Sequence, residues 1–198
     1  MIRVFAIWVL CASAAAAQDW PALADVTGVS PDDVLNVRAA PSGDAPIVGA
    51  LVHDARWVEV TASDGNWGRV NLAEGAGWAH LGYLAVQPGG TFPDAEQFRC
   101  FGTEPFWSID VTPEGPALMT TPDGPYLAME AGALRLTEGR FGPHGVWMGG
   151  AEVQGALTVR REECSDGMSD RAYGLGAQLM LGGQTSRLLS GCCTLQME

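Results

Sequence analysis

Apolar residues in this chain come in short bursts separated by turn chemistry. Leu35 and Val37 open the first series, followed by Ile47, Val48 and Leu51, then Trp57, Val58 and Val60, then Trp67 and Val70, then Trp78. Between them lie Ala40-Pro41-Ser42-Gly43-Asp44, Ser63-Asp64-Gly65-Asn66 and Glu74-Gly75-Ala76-Gly77. Glycine supplies φ > 0, Asp and Asn close Asx turns, and proline fixes φ, so these segments turn the chain. Short strands at about ten-residue spacing with such breaks predict a small all-β barrel. A second series begins with Phe106-Trp107-Ser108-Ile109-Asp110-Val111, which alternates, breaks at Pro113-Glu114-Gly115-Pro116 and resumes at Ala117-Leu118-Met119. Residues 154–161 alternate again, and Ala177-Gln178-Leu179-Met180-Leu181, Gly182-Gly183 and residues 184–190 read as a hairpin. No segment keeps an apolar 3.6-residue period for three turns. The expected fold class is all-β: a small barrel followed by a second antiparallel β domain, barrel or sandwich.

The stretches outside these series set the boundaries. Residues 1–17 read as a secretory signal, with Arg3 as the only early charge, an apolar run over residues 4–10 and a small-residue cleavage site at Ala15-Ala16-Ala17. The run is shorter than the roughly 20 apolar residues a spanning helix needs. Leu10 stands before Cys11, where a lipoprotein signal wants a small residue, so the expected product is a chain starting at Gln18 without a lipid anchor. Residues 18–32 show no clear element and read as an N-terminal segment. The first barrel is expected over 33–86, a Pro/Gly-rich linker over 87–97 and the second domain over 98–198. The expected location is periplasmic or secreted, with no membrane insertion after signal cleavage.

Charge removes two classes of partner. The chain has 11 basic and 23 acidic side chains, a net charge of −12, and every basic residue is arginine. Such a surface repels nucleic acid and anionic membranes.

Cysteine chemistry adds a constraint. Cys100, Cys164, Cys192 and Cys193 follow the signal, an even number in an exported chain, so disulfides are the default. A bridge between the neighbours Cys192 and Cys193 needs a strained ring, because their side chains on a strand point to opposite faces. Two cross-linked pairings stay open. A metal site finds no support: there is no CxxC pair, and His53, His80 and His144 stand apart.

Two resemblances refine this reading. Leu35-Asn36-Val37-Arg38-Ala39-Ala40-Pro41-Ser42 is similar to the LNVRSGPS opening of bacterial SH3-type domains. Trp57-Val58-Glu59-Val60, Gly65-Asn66-Trp67-Gly68-Arg69-Val70, Gly77-Trp78-Ala79-His80 and Gly82-Tyr83-Leu84 fall where that family places its later strands and closing segment. The resemblance covers about 33–86 and implies an SH3-like barrel that binds cell-wall peptides or proteins. Further on, Cys100-Phe101-Gly102-Thr103-Glu104-Pro105-Phe106-Trp107, then Cys164-Ser165-Asp166-Gly167-Met168-Ser169, then Gly191-Cys192-Cys193 resemble landmarks of a family of exported bacterial proteins and lipoproteins, distantly similar to META and heat-shock-lipoprotein β domains. Its members often lack the first cysteine and keep the others. The resemblance therefore implies Cys164 paired with Cys192 and Cys100 with Cys193. It implies no reaction.

Alternation in the first barrel puts Asn36 and Arg38 on one face of their strand, and Trp67 and Arg69 on one face of theirs. With Trp78 and Tyr83 they are placed to form a groove for an extended peptide, so the candidate ligand-binding residues are Asn36, Arg38, Trp67, Trp78 and Tyr83. Trp57 reads instead as filler for a barrel too small for an aliphatic core. The leading expectation is a non-enzymatic envelope protein that binds a peptide, peptidoglycan or a partner protein and uses no cofactor. The alternative is a small cell-wall hydrolase using Glu104 and Asp166, since glycoside hydrolysis needs two carboxyls at a set separation. Asp166 and Asp170 also read as turn formers, and Glu104 as an extended residue before Pro105. A calcium loop at Asp166 and Asp170 offers too few oxygens in order. Met168 and Met180 read as core filler.

Overall fold

The computed structural model describes residues 19–124, 126–138, 142–151, 153–183 and 186–195. The expected signal over 1–17 lies outside these residues. The architecture is almost entirely β, as the turn-punctuated pattern predicts.

The first module is a seven-stranded antiparallel sheet. Its strands are β1 (Ala22–Val26), β2 (Val34–Arg38), β3 (Ile47–Val52), β4 (Val58–Asp64), β5 (Trp67–Leu72), β6 (Gly75–His80) and, after a 3-10 turn at Leu81–Tyr83, β7 (Leu84–Thr91). They lie in the order β3-β2-β6-β5-β4-β1-β7. Ala24, Val26, Leu35, Val37, Val58, Val60, Val70, Ala79 and Leu84 form its core.

Two stretches differ from the expectation. Residues 18–32 contain β1, which lies between β4 and β7 and pairs with both. Residues 87–97 are not a free linker. β7 continues to Thr91, and Phe92 and Ala95 are buried in the core of the second module. Trp57 is a further correction. Its φ is +58°, and it is 52% exposed rather than core filler.

The second module comprises β8 (Phe98–Thr103), β9 (Phe106–Val111), β10 (Pro116–Thr120), β11 (Leu127–Ala131), β12 (Arg135–Leu136), β13 (His144–Gly149), β14 (Gln154–Cys164), β15 (Tyr173–Gly182) and β16 (Arg187–Thr194). β8 to β11 and β13 to β16 follow one another around a closed barrel. β11 meets β13 at Glu130↔Gly149 and Ala131↔Met148, and β16 returns to β8. Short β12 pairs with the other end of β13. An eight-stranded barrel is just wide enough for side chains to fill. Here Phe98, Ile109, Met119, Leu157, Leu175 and Leu179 fill it. Met180 is 58% exposed and Met168 69% exposed, so neither is core filler.

Cys192 and Cys193 face opposite sides of β16. Cys193 points into the core and is bridged to Cys100, its register partner on β8. Cys192 is bridged to Cys164 at the end of β14. Next to this seam the backbones meet closely. A Cβ on Gly191 would lie 1.8 Å from the Phe101 carbonyl oxygen, and one on Gly102 would lie 2.6 Å from the Ser190 oxygen. Only glycine fits at either point.

The modules are joined through buried polar groups. Glu59 on β4 is 2% exposed. Its carboxylate accepts hydrogen bonds from the Thr194 hydroxyl and, at 2.9 Å, from the Leu195 N–H. Asn71 acts as a surrogate strand residue: its Nδ2 donates to the Ala172 carbonyl and its Oδ1 accepts the Ala172 N–H, each at 2.9 Å. Leu23 of β1 packs into the core of the second barrel.

Burial raises the Glu59 pKa, against the hydrogen bonds from Thr194 and Leu195 and the charge of Arg171. A raised carboxyl pKa means the folded chain binds the proton more tightly than the unfolded one. Stability therefore falls as pH climbs from the ordinary carboxylate value through the folded one. Glu59→Gln keeps an acceptor for Leu195 and a donor for Thr194 but cannot ionise. Its melting temperature is expected to gain on wild type as pH rises from about 4 to 8; a pH-independent gap in calorimetry would show that Glu59 does not titrate at a cost. The bridges carry a separate expectation. Cys100–Cys193 spans 93 residues and Cys164–Cys192 spans 28. On the chain-entropy account, replacing the first pair by serine costs about 4–5 kcal/mol and the second about 3–4. Urea midpoints in the opposite order would contradict this.

Candidate binding groove

β2 alternates as its sequence requires: Leu35 and Val37 point into the core, Asn36 and Arg38 away from it. β5 and β6 do the same. Gly68, Val70, Gly77 and Ala79 are buried, leaving Trp67, Arg69, Trp78 and His80 on the outer face. Register then sets the neighbours, with Arg38 opposite Trp78, Trp78 opposite Arg69, and Trp67 opposite His80. Close approach of β6 to β2 needs Gly77, where a Cβ would lie 2.5 Å from a Val37 methyl.

Asn36, Arg38, Trp67 and Tyr83 line one open groove of about 500 Å³. His80 joins them, and the loop at Gly28, Val29 and Ser30 completes the wall. Trp78 is half-buried on the same face of the sheet, between Arg38 and Arg69 in register, but is not part of the groove wall.

The aromatic side is a chain of edge-on contacts. The Trp67 and His80 rings are 5.4 Å apart at 84°, and His80 and Tyr83 are 5.9 Å apart at 64°. His80 Nδ1 accepts the Gly82 N–H at 3.1 Å, which assigns the ring proton to Nε2 and leaves that nitrogen as a donor. The Thr27 N–H donates to the Tyr83 carbonyl at 2.9 Å, tying the β1–β2 loop to the aromatic side.

The polar side carries both signs of charge. Arg38 Nη1 donates to the Ala45 carbonyl at 2.7 Å, which fixes the guanidinium against the β2–β3 loop. Asp33 also lines the groove, with Oδ1 accepting the Val34 N–H at 2.8 Å. The site thus offers a guanidinium, a carboxylate and a run of edge-on aromatic rings around one concavity.

His80 and Asp33 line the groove without having been among the residues assigned from strand alternation. The signal for His80 was present: it alternates with Trp78 on one strand and stands three residues before Tyr83.

The carboxylates considered for hydrolysis are placed differently. Asp166 Oδ1 accepts the N–H groups of Met168 and Ser169 at 2.9 and 2.8 Å, and its Oδ2 accepts the Ser169 hydroxyl at 2.8 Å. Burial works to raise its pKa. The bonds from Ser169 and Met168, with the charge of Arg171, prevail and hold it below the usual carboxylate value. Asp166 thus closes the turn over residues 166–169 as an ionised acceptor. Glu104 is exposed at the β8–β9 turn, and Asp170 lies against Gly75 of the first module. Among the described residues no group of three His, Cys, Asp or Glu is placed to hold a metal ion.

A second concavity, of about 660 Å³, lies where the modules meet, between Leu23, Trp57, Gly90, Ala95 and Leu195. Asp25 holds its rim by accepting the Trp57 N–H at 3.1 Å and Arg56 Nε at 3.2 Å.

Among the described residues no helix is long and apolar enough to cross a membrane. No curated protein and no solved structure matches the chain. The family match falls in the first module, from just before β2 to the start of β7. Residues 33–85, which contain every wall of the groove except the Gly28–Ser30 loop, match the family model of the bacterial SH3 domain.

Proposed function

We propose that this chain is an envelope binding protein whose first module holds an extended peptide of cell-wall type in the groove of Asn36, Arg38, Trp67, His80 and Tyr83. The observation that carries this reading is the pairing of an aromatic wall with one fixed guanidinium and one carboxylate. A peptide with amine and carboxylate groups matches both charges, and its aliphatic stretches lie against the rings of Trp67 and Tyr83. The match of residues 33–85 to bacterial SH3 domains supports a binding role, because modules of that kind commonly take cell-wall or protein partners. The two disulfides fit a periplasmic or secreted location, since such bonds persist in oxidising compartments. In this proposal the chain binds rather than catalyses, and the turn role of Asp166 supports that choice.

Purified peptidoglycan is expected to retain the full chain in a sedimentation assay. Soluble muropeptides are expected to change its tryptophan fluorescence. Trp67→Ala, with its melting temperature preserved, should weaken muropeptide binding about tenfold, equivalent to about 1.4 kcal/mol. Unchanged affinity in that variant, or no retention of the wild type, would remove the groove assignment.

A further inference from the structure

We propose that the bare edge of the first sheet is a second interaction surface, which adjoins the groove at Asp33, Val34 and Arg38 and adds an extended, apolar strand with basic flanks from a partner protein. β3 ends the sheet: it pairs with β2 on one side, and among the described residues no strand pairs with it on the other. An edge strand carries outward N–H and C=O groups that template another strand, and folded proteins usually blunt such edges with charge or proline. Ile47-Val48-Gly49-Ala50-Leu51-Val52 has neither; Pro46 and a register shift at Val48 lie at its first end, so the regular, unprotected run is residues 49–52. The opposite edge of the same sheet, β7, contains Pro88, which has no N–H to offer. Apolar side chains gather along the bare edge. Ile47 is 56% exposed, Val48 49% and Val52 58%, and Val34, opposite Val52 in register, is 42% exposed. Strand addition uses this kind of surface: main-chain bonds give affinity and the alternating side chains give selectivity.

Charge selects the occupant. Asp44 stands before β3, Asp54 after it, and Asp32 and Asp33 precede Val34 at the Val52 end. Two basic side chains face this region, one of them a histidine. Arg38 is turned onto the Ala45 carbonyl, and His53 lies 3.8 Å from Asp54. Antiparallel self-pairing of β3 would bring Asp44 of one copy close to Asp54 of the other, in chains that each carry −12. A second copy is therefore disfavoured. An apolar strand with lysine or arginine at its ends matches both the bare edge and its acidic surround.

The probe is a synthetic peptide, Lys-Lys-Val-Thr-Val-Thr-Val-Lys-Lys, titrated into the full chain and followed by fluorescence anisotropy and by amide hydrogen exchange. It is expected to bind, to slow exchange of β3 amides at least tenfold, and to bind more weakly as salt rises. Ile47→Lys with Val52→Lys, both at exposed positions and with an unchanged melting temperature, should reduce affinity at least tenfold. Leu188→Lys, at a more exposed position on the second barrel, should not. Equal binding of a Glu-flanked peptide, or binding without protection of β3, would overturn the proposal. So would concentration-dependent dimerisation of the free chain that Val52→Lys abolishes, which would make a second copy the occupant. Because the groove reading is tested with muropeptides and Trp67→Ala, either reading can fail without the other.

Discussion

Three residue pairs hold β16 against β8: Cys192 against Phe101, Cys193 against Cys100 and Thr194 against Arg99. They join the last strand to the first strand of the second barrel, and without them that barrel is an open curled sheet with two bare edges. Closing a loop this long costs entropy before any contact repays it. Several devices meet at this point. Gly102 and Gly191 let the backbones approach, Cys193 ties the inner face to Cys100, and Cys192 ties the strand to Cys164. The residues that follow, Thr194 and Leu195, also supply the hydrogen bonds to Glu59. The closure of one module and the docking of the other therefore rest on one strand end.

That arrangement makes the two modules interdependent. β1 belongs to the first sheet by hydrogen bonding, yet Leu23 belongs to the second core by packing. Phe92 lies in that core in edge-on contact with Phe98 and His144, and its carbonyl accepts a hydrogen bond from Arg161. Separating the modules between residues 87 and 97 would expose Phe92 and Ala95 to water and strip Glu59 of its cover together with its partners, Thr194 and Leu195. The groove and the bare edge of β3, by contrast, are built from strands of the first sheet and the loops between them.

The legible parts of the fold were those with one wet face. β2, β5 and β6 alternate because one side packs and the other meets solvent, and their period of two is visible in Asn36, Arg38, Trp67 and Trp78. β1 was not legible because Ala22, Leu23 and Ala24 are all buried, one way or the other, so alternation has nothing to mark. The stretch at 87–97 was misread for another reason. Its prolines and glycines signal breaks correctly, but composition says nothing about where Phe92 goes. Trp57 eluded a hydrophobicity argument altogether, since its exposure follows from a left-handed backbone held by Asp25. Strand faces bring Asn36, Arg38 and Trp67 to one concavity, with Tyr83 on the turn after β6, while Trp78 lies outside its wall. His80 was missed because its role comes from ring neighbours on another strand and on the following turn.

The covalent link between Cys100 and Cys193 has a mechanical meaning. The barrel begins at Phe98, where the chain arrives from the first module, and ends at Thr194. A pull between the first module and the end of the chain would enter at β8 and leave at β16, and the bridge joins those two strands directly. Tension would run through two sulfur atoms and bypass the 92 residues between the cysteines. Under load the second barrel is a shackle rather than a spool: it can be tugged at both ends without paying out length.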